Sequence, residues 1–207
     1  IEKIKSRNFK VVVDAVNSAG SIIIPQLLNE LNCEVTKINC NSDGHFARGP
    51  EPIPENLKQL SEKVIEVKAD FGLATDPDAD RLAIVDENGE PLGEEFTLAL
   101  AIDGYFQSSN TNNAVVVNLS TSMLSEYSCK KHDIELVRSK VGEINVVEEM
   151  IVQNSDIGGE GNGGVILKES HLGRDSVIAT ALSLNRFAMT SQHVSEIKRS
   201  FPNYKLI

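Results

Sequence analysis

Short apolar runs bounded by turn formers recur along this chain, and between them lie stretches in which apolar residues return every third or fourth position. These are the patterns of buried strands and amphipathic helices. Residues 9–13 read as a strand, and residues 19–31 as a helix whose Ile23, Ile24, Leu27, Leu28 and Leu31 share one face. Residues 34–38 read as a second strand and, past a turn-rich loop over 39–54, residues 55–67 as a second helix. Two apolar strands, 71–74 and 82–85, flank an acidic loop, and residues 94–106 form an apolar helix. The run 107–113 holds no apolar residue and reads as a linker. The alternation then restarts, with strands at 114–117, 134–137 and 165–168 and helices at 122–131, 143–153 and 176–188. A glycine-rich turn, 158–164, leads into the last of these strands. The pattern predicts an α/β protein made of two successive three-layer α/β/α domains, 1–108 and 109–207, with mixed, largely parallel sheets. In such sheets ligands gather where loops leave the carboxyl ends of strands, which directs the acidic loop and the glycine-rich turn toward one cleft.

Composition narrows the function classes. Of 207 residues, 41 % are hydrophobic and 24 % charged, as in a globular protein with a sizeable core. The 20 Lys and Arg against 30 Asp and Glu leave a net charge of −10, which gives a nucleic-acid backbone nothing to bind. Apolar runs are too short to span a bilayer and the charged start is unlike a signal peptide, so no membrane partner is expected. Cys33, Cys40 and Cys129 form no CxxC pair and are odd in number, which fits a reducing cytoplasm.

The strongest chemical signal is Thr75-Asp76-Pro77-Asp78-Ala79-Asp80-Arg81. Three carboxylates at alternate positions repel one another unless a cation or the adjacent arginine relieves them, and an all-oxygen set suits Mg²⁺, which keeps positions open for a phosphate oxygen. Asp76, Asp78 and Asp80 are therefore the candidate metal ligands, with Arg81 beside them to hold a phosphate. An EF-hand is excluded because its glycine position is Arg81, its ninth position is the apolar Ile84, and strands flank the loop. An aspartyl phosphatase also places DxD after a strand, and it stays open as the alternative. The segment Gly159-Glu160-Gly161-Asn162-Gly163-Gly164 matches GxGxxG, but it precedes a strand, so no helix N-terminus would meet a pyrophosphate. Glycines that admit a ligand close to the backbone, with Glu160 and Asn162 as hydrogen-bonding groups, suit a sugar.

Together these segments resemble the α-D-phosphohexomutases. TDPDADRLAIVDENGE is similar to their metal-binding loop and GGEGNGGVI to their sugar-binding loop; VVVDAVNSAG, RGPEPIPENL, VVNLSTS, SKVGEINVVEEM and HLGRDS follow in the family's order. The resemblance implies the second and third of four domains. The family's phosphorylated serine, in a TASHNP-like segment, has no match here, and neither does the RxSGTEP-like phosphate clamp of the last domain; Ser120 and Ser122 read as helix caps. The expectation is thus a central portion of a mutase, inactive alone and needing domains I and IV as partners.

For the complete enzyme the resemblance implies interconversion of hexose 6-phosphate and hexose 1-phosphate through phosphoserine and a bisphosphorylated sugar. It assigns Mg²⁺ to the three aspartates, phosphoryl contact to Arg81, and sugar hydroxyls to Glu160 and Asn162. Lys140 has two readings, a base near the attacking hydroxyl or an exposed lysine before a helix. Arg174 likewise reads as a phosphate contact or a surface arginine, with Asp175 as a helix N-cap. His45 and Arg48 lie in the long loop 39–54 and are candidates for lining the cleft. Asn162 stands where many relatives have Ser and Gly164 where many have His, which leaves glucose, mannose and amino sugars open. A noncatalytic metal or sugar-phosphate binding module is the alternative from another class.

Overall fold

The computed structural model describes residues 1–204; positions 205–207 of the second expected domain lie outside the described residues. In chain order the first half comprises α1 (Glu2–Lys5), β1 (Lys10–Asp14), α2 (Gly20–Glu30), β2 (Glu34–Ile38), α3 (Lys58–Val67), β3 (Phe71–Thr75), β4 (Leu82–Asp86) and α4 (Glu94–Phe106). The second comprises β5 (Val115–Asn118), α5 (Met123–Lys131), β6 (Leu136–Ser139), α6 (Glu143–Val152), β7 (Ile157–Glu160), β8 (Gly164–Leu167), α7 (Ser176–Ala188) and α8 (Val194–Arg199). Among the described residues there are two four-stranded sheets, ordered β2-β1-β3-β4 and β6-β5-β7-β8. In each, the first three strands are parallel and the fourth is antiparallel. The fold is the expected one, two α/β units with mixed, mostly parallel sheets.

Side-chain alternation along the strands decides where the layers form. Val11 and Val13 of β1, Phe71 and Leu73 of β3, and Leu82 and Ile84 of β4 face a central core with α2, α4 and α7. Val12, Ala74, Ala83 and Val85 point the other way, onto Leu57, Leu60 and Val64 at α3. The second sheet repeats the arrangement. Val115, Val117, Ile157 and Val165 join the same central core, while Val116 and Ile166 pack on Val146 and Met150 of α6. Each fully buried aliphatic side chain contributes roughly 1.5–3 kcal/mol. A single apolar core therefore fastens both sheets together, with α4 between them.

Two departures from the sequence pattern have local causes. Residues 158–160, expected as part of a turn, belong to strand β7, whose two glycines conceal it because they carry no strand propensity. Glycine is required there: a Cβ on Gly158 would lie 2.5 Å from the Val116 carbonyl oxygen. The strand expected at 134–137 runs instead from Leu136 to Ser139, because parallel pairing sets Leu136 opposite Val115.

The sheets also meet directly. Arg81 and Gly164 form an antiparallel bridge, and Leu82 N–H donates to the Gly163 carbonyl at 3.1 Å. Gly163 has φ +94°, and a Cβ there would come within 2.6 Å of Leu82 O. Gly163→Ala is accordingly expected to lower stability by about 2–3 kcal/mol, from backbone strain and the loss of one interstrand hydrogen bond. Chemical denaturation checks this, and a cost under about 0.5 kcal/mol would show that the junction gives way freely.

Candidate active site at the junction of the two sheets

The acidic loop leaves β3 and returns as β4, a reversal held by one buried carboxylate. Asp76 is fully buried; its Oδ1 accepts the backbone N–H groups of Asp80 (3.1 Å) and Arg81 (3.0 Å), and its Oδ2 accepts Arg81 Nε at 2.6 Å. Burial alone would push the Asp76 carboxyl up, but these hydrogen bonds and the Arg81 charge hold it below the ordinary range. Asp78 is exposed at the tip, and one oxygen from each of Asp76, Asp78 and Asp80 lies within 4.8 Å of the others. Asp80 Oδ1 is buried without a hydrogen-bond partner. Burial, then the hydrogen bond and charge of Asp76, push the Asp80 carboxyl up to about 7 against the pull of Arg174. An orphaned carboxylate oxygen facing two other carboxylates is what a hard cation relieves, so this donor set fits a divalent metal.

The support beneath the loop comes from residues 39–54. Arg48, with its side chain only 6 % exposed, pairs with Asp14 at 3.0 Å and donates to the Thr75 carbonyl at 2.7 Å, immediately ahead of Asp76. Glu51 stands 3.6 Å from Arg81. Arg48 thus lies under the loop and not along the cleft, because Asp14 is fully buried and requires a partner. His45 points outward, 91 % exposed.

Across the junction, Glu160 ends β7. Its Oε1 accepts Asn118 Nδ2 at 2.6 Å and the Gly142 N–H at 3.3 Å; its Oε2 accepts Arg174 Nη1 at 3.0 Å. Glu160, Asn162, Gly161, Asn118, Glu94 and Glu95 border a polar cavity of about 160 Å³. A Cβ on Gly161 would fall 2.3 Å from a Glu95 carboxylate oxygen, and one on Gly164 would fall 2.2 Å from Arg174 Cδ. Arg174 itself reaches from the start of α7 to Glu143, Glu160 and Asp80.

Sequence comparison places this geometry. Residues 1–89 match the family description "Phosphoglucomutase/phosphomannomutase, alpha/beta/alpha domain II", and residues 93–204 match domain III of the same family. The chain belongs to the phosphoglucomutase/phosphomannomutase family. A phosphoglucomutase/phosphomannomutase of Thermococcus kodakarensis is 42 % identical over 205 residues, covering 99 % of this chain and 45 % of that protein. A phosphoglucosamine mutase of Methanocaldococcus jannaschii is 32 % identical over 204 residues, covering 96 % and 45 %. The crystal structure of a putative phosphomannomutase from Thermus thermophilus shares the fold with a TM-score of 0.87 at 24 % identity, covering 96 % of this chain and 46 % of that one. The chain spans about 45 % of the length of these curated relatives.

In this member of the phosphohexomutases, the structure gathers Asp76, Asp78, Asp80, Arg81, Glu160, Asn162 and Arg174 at one junction. Lys140 is not brought into contact with them. Its exposed side chain borders a separate hollow with Arg138, Asn145 and Glu148, although Gly142 on the same turn binds Glu160. Asp175 caps α7 and Ser122 caps α5. Sequence reasoning missed Glu143, Asn118, Glu95 and the buried role of Arg48; their partners are distant in the chain, and no local motif announces them. The family matches divide the chain between 89 and 93, ahead of α4, whereas the polar run 107–113 follows it. Among the described residues no helix is long and apolar enough to cross a membrane, and Cys33, Cys40 and Cys129 are free thiols.

Proposed function

We propose that this chain supplies the metal-binding and sugar-binding parts of a phosphohexomutase, which interconverts hexose 6-phosphate and hexose 1-phosphate in a reducing cytoplasm. The observation that carries the reading is Arg174, whose guanidinium touches Asp80 of the acidic loop and Glu160 of the glycine loop at once. In this reading Asp76, Asp78 and Asp80 hold Mg²⁺, which when bound neutralises charge on the phosphoryl oxygens being transferred. Arg81, held by Asp76, contacts the phosphoryl group. Glu160 and Asn162 receive sugar hydroxyls in the polar cavity, where substrate replaces a hydrogen bond now made by Arg174. Lys140 does not touch this junction, but it lies on the turn whose Gly142 binds Glu160, and it is the base this reading proposes for the attacking hydroxyl. The phosphoryl donor is a phosphoserine for which these 207 residues hold no matching segment, so domains I and IV are the partners required for turnover.

Two measurements test the reading. Calorimetric titration with Mg²⁺ is expected to show binding that Asp78→Asn weakens by about tenfold or more, since one of three anionic ligands is lost. Asp78 is exposed, so the variant should melt like the parent. Addition of domains I and IV should restore mutase activity. Phosphate release from a sugar phosphate without added protein would favour the phosphatase instead, and metal binding with neither activity would favour a noncatalytic module.

A further inference from the structure

Arg174 is more deeply committed than a substrate contact needs to be. Its Nε pairs with Glu143 Oε2 at 3.1 Å, its own N–H donates to Glu143 Oε1 at 3.0 Å, Nη1 meets Glu160 at 3.0 Å, and Nη2 binds Asp80 Oδ2. Three carboxylates from three separate elements share one guanidinium, whose side chain is 17 % exposed. Of the two Asp80 oxygens, one is taken by Arg174, while the other is buried and unpartnered, with Arg81 Nε 3.6 Å away. The stem of Arg174 lies where a side chain at position 164 would be, and Gly164 leaves that space.

From this geometry we infer that Arg174 is the resident counter-cation of the acidic loop: it stands in for a divalent ion on Asp80 and loosens its hold when the ion arrives. Because the same guanidinium grips Glu160, loading of the cation in one unit releases a hydrogen-bond acceptor in the other. Arg174 acts here as a positioning residue that couples the two loops. The inference rests on the proposed cation site, and it adds a sign that the proposed function does not supply. Arg174 opposes cation binding, because a guanidinium and a divalent ion a few ångströms apart repel even at the dielectric of water.

The test is Mn²⁺ binding to the full 207-residue chain at low ionic strength, by calorimetry and by electron paramagnetic resonance of the free ion. Arg174→Gln is expected to tighten Mn²⁺ binding about tenfold, and Arg174→Lys, which keeps the charge, by less. Gly164→Ala provides a second route, because the new Cβ would displace the Arg174 stem without removing its charge from the chain; it should also tighten binding. Thermal melts identify a variant that fails to fold, and the remaining ones then decide. Equal or weaker binding in folded variants overturns the counter-cation role and leaves the metal site standing. Absence of Mn²⁺ binding in the wild-type chain, indistinguishable from Asp78→Asn, overturns both.

Discussion

Asp103→Ala should destabilise the chain by about 3–5 kcal/mol, because it removes the buried carboxylate that pairs with the buried Arg186 guanidinium. Asp103 is fully buried on α4; Lys131 Nζ (2.7 Å) and Arg186 Nε (2.5 Å) bind one oxygen, and His132 Nε2 (2.7 Å) binds the other. Lys131 and His132 end α5, and Arg186, itself buried, lies on α7, so this aspartate ties α4 to both neighbours. Without it the Arg186 guanidinium has no counter-charge in the core. In a domain of this size the loss corresponds to a fall in melting temperature of roughly 10 °C. Burial alone would push the Asp103 carboxyl up, but hydrogen bonds from Lys131, His132 and Arg186 hold it below the ordinary aspartate range. A depressed carboxyl stabilises the fold above its unfolded value, and that contribution is lost as pH falls through the folded one. The gap between wild type and variant should therefore be full at neutral pH and shrink in acid. Denaturation curves across pH check both parts; a gap under 1 kcal/mol, or one that persists unchanged in acid, would falsify the account.

Asp76→Ala is expected to abolish cation binding and, unlike Asp78→Asn, to lower stability as well, by about 2–3 kcal/mol. The contrast follows from burial. Asp76 receives two backbone N–H groups and the Arg81 guanidinium, and all three lose their acceptor when the carboxylate goes. The figure is kept at the low end because Arg81 is 24 % exposed and water can take over part of its hydration. With the reversal undone, the Asp80 and Asp78 oxygens no longer converge. Denaturant unfolding paired with Mg²⁺ calorimetry measures both effects. A variant that keeps full stability would mean that the turn is held by Pro77 and the strand pairing alone.

The sequence was most legible where local pattern suffices. Residues 34–38, 94–106 and 176–188 have the bounds that periodicity assigns them. The acidic loop was legible for the same reason, since Asp76, Asp78 and Asp80 are neighbours in the chain. Strand β7 was hidden because its glycines answer to neighbouring atoms, Val116 O and Gly164 O, which no local window contains. Arg174 and Asp80 are 94 residues apart, and Arg48 and Asp14 are 34 apart. Such pairs are products of the tertiary fold; from sequence, Arg174 had the same appearance as any arginine ahead of a helix. The family resemblance supplied the order of the loops but not the way in which Arg174, Glu143 and Gly164 interlock.

The two sheets have one connectivity, so the turn between β3 and β4 and the turn between β7 and β8 are counterparts. One tip is furnished with aspartates and the other with glycines. Duplicated architecture has here been differentiated at its corners while its framework is left alone, and the corners abut. Lengthening either turn by a residue would consequently shift the Arg81–Gly164 and Leu82–Gly163 contacts through which the two tips meet.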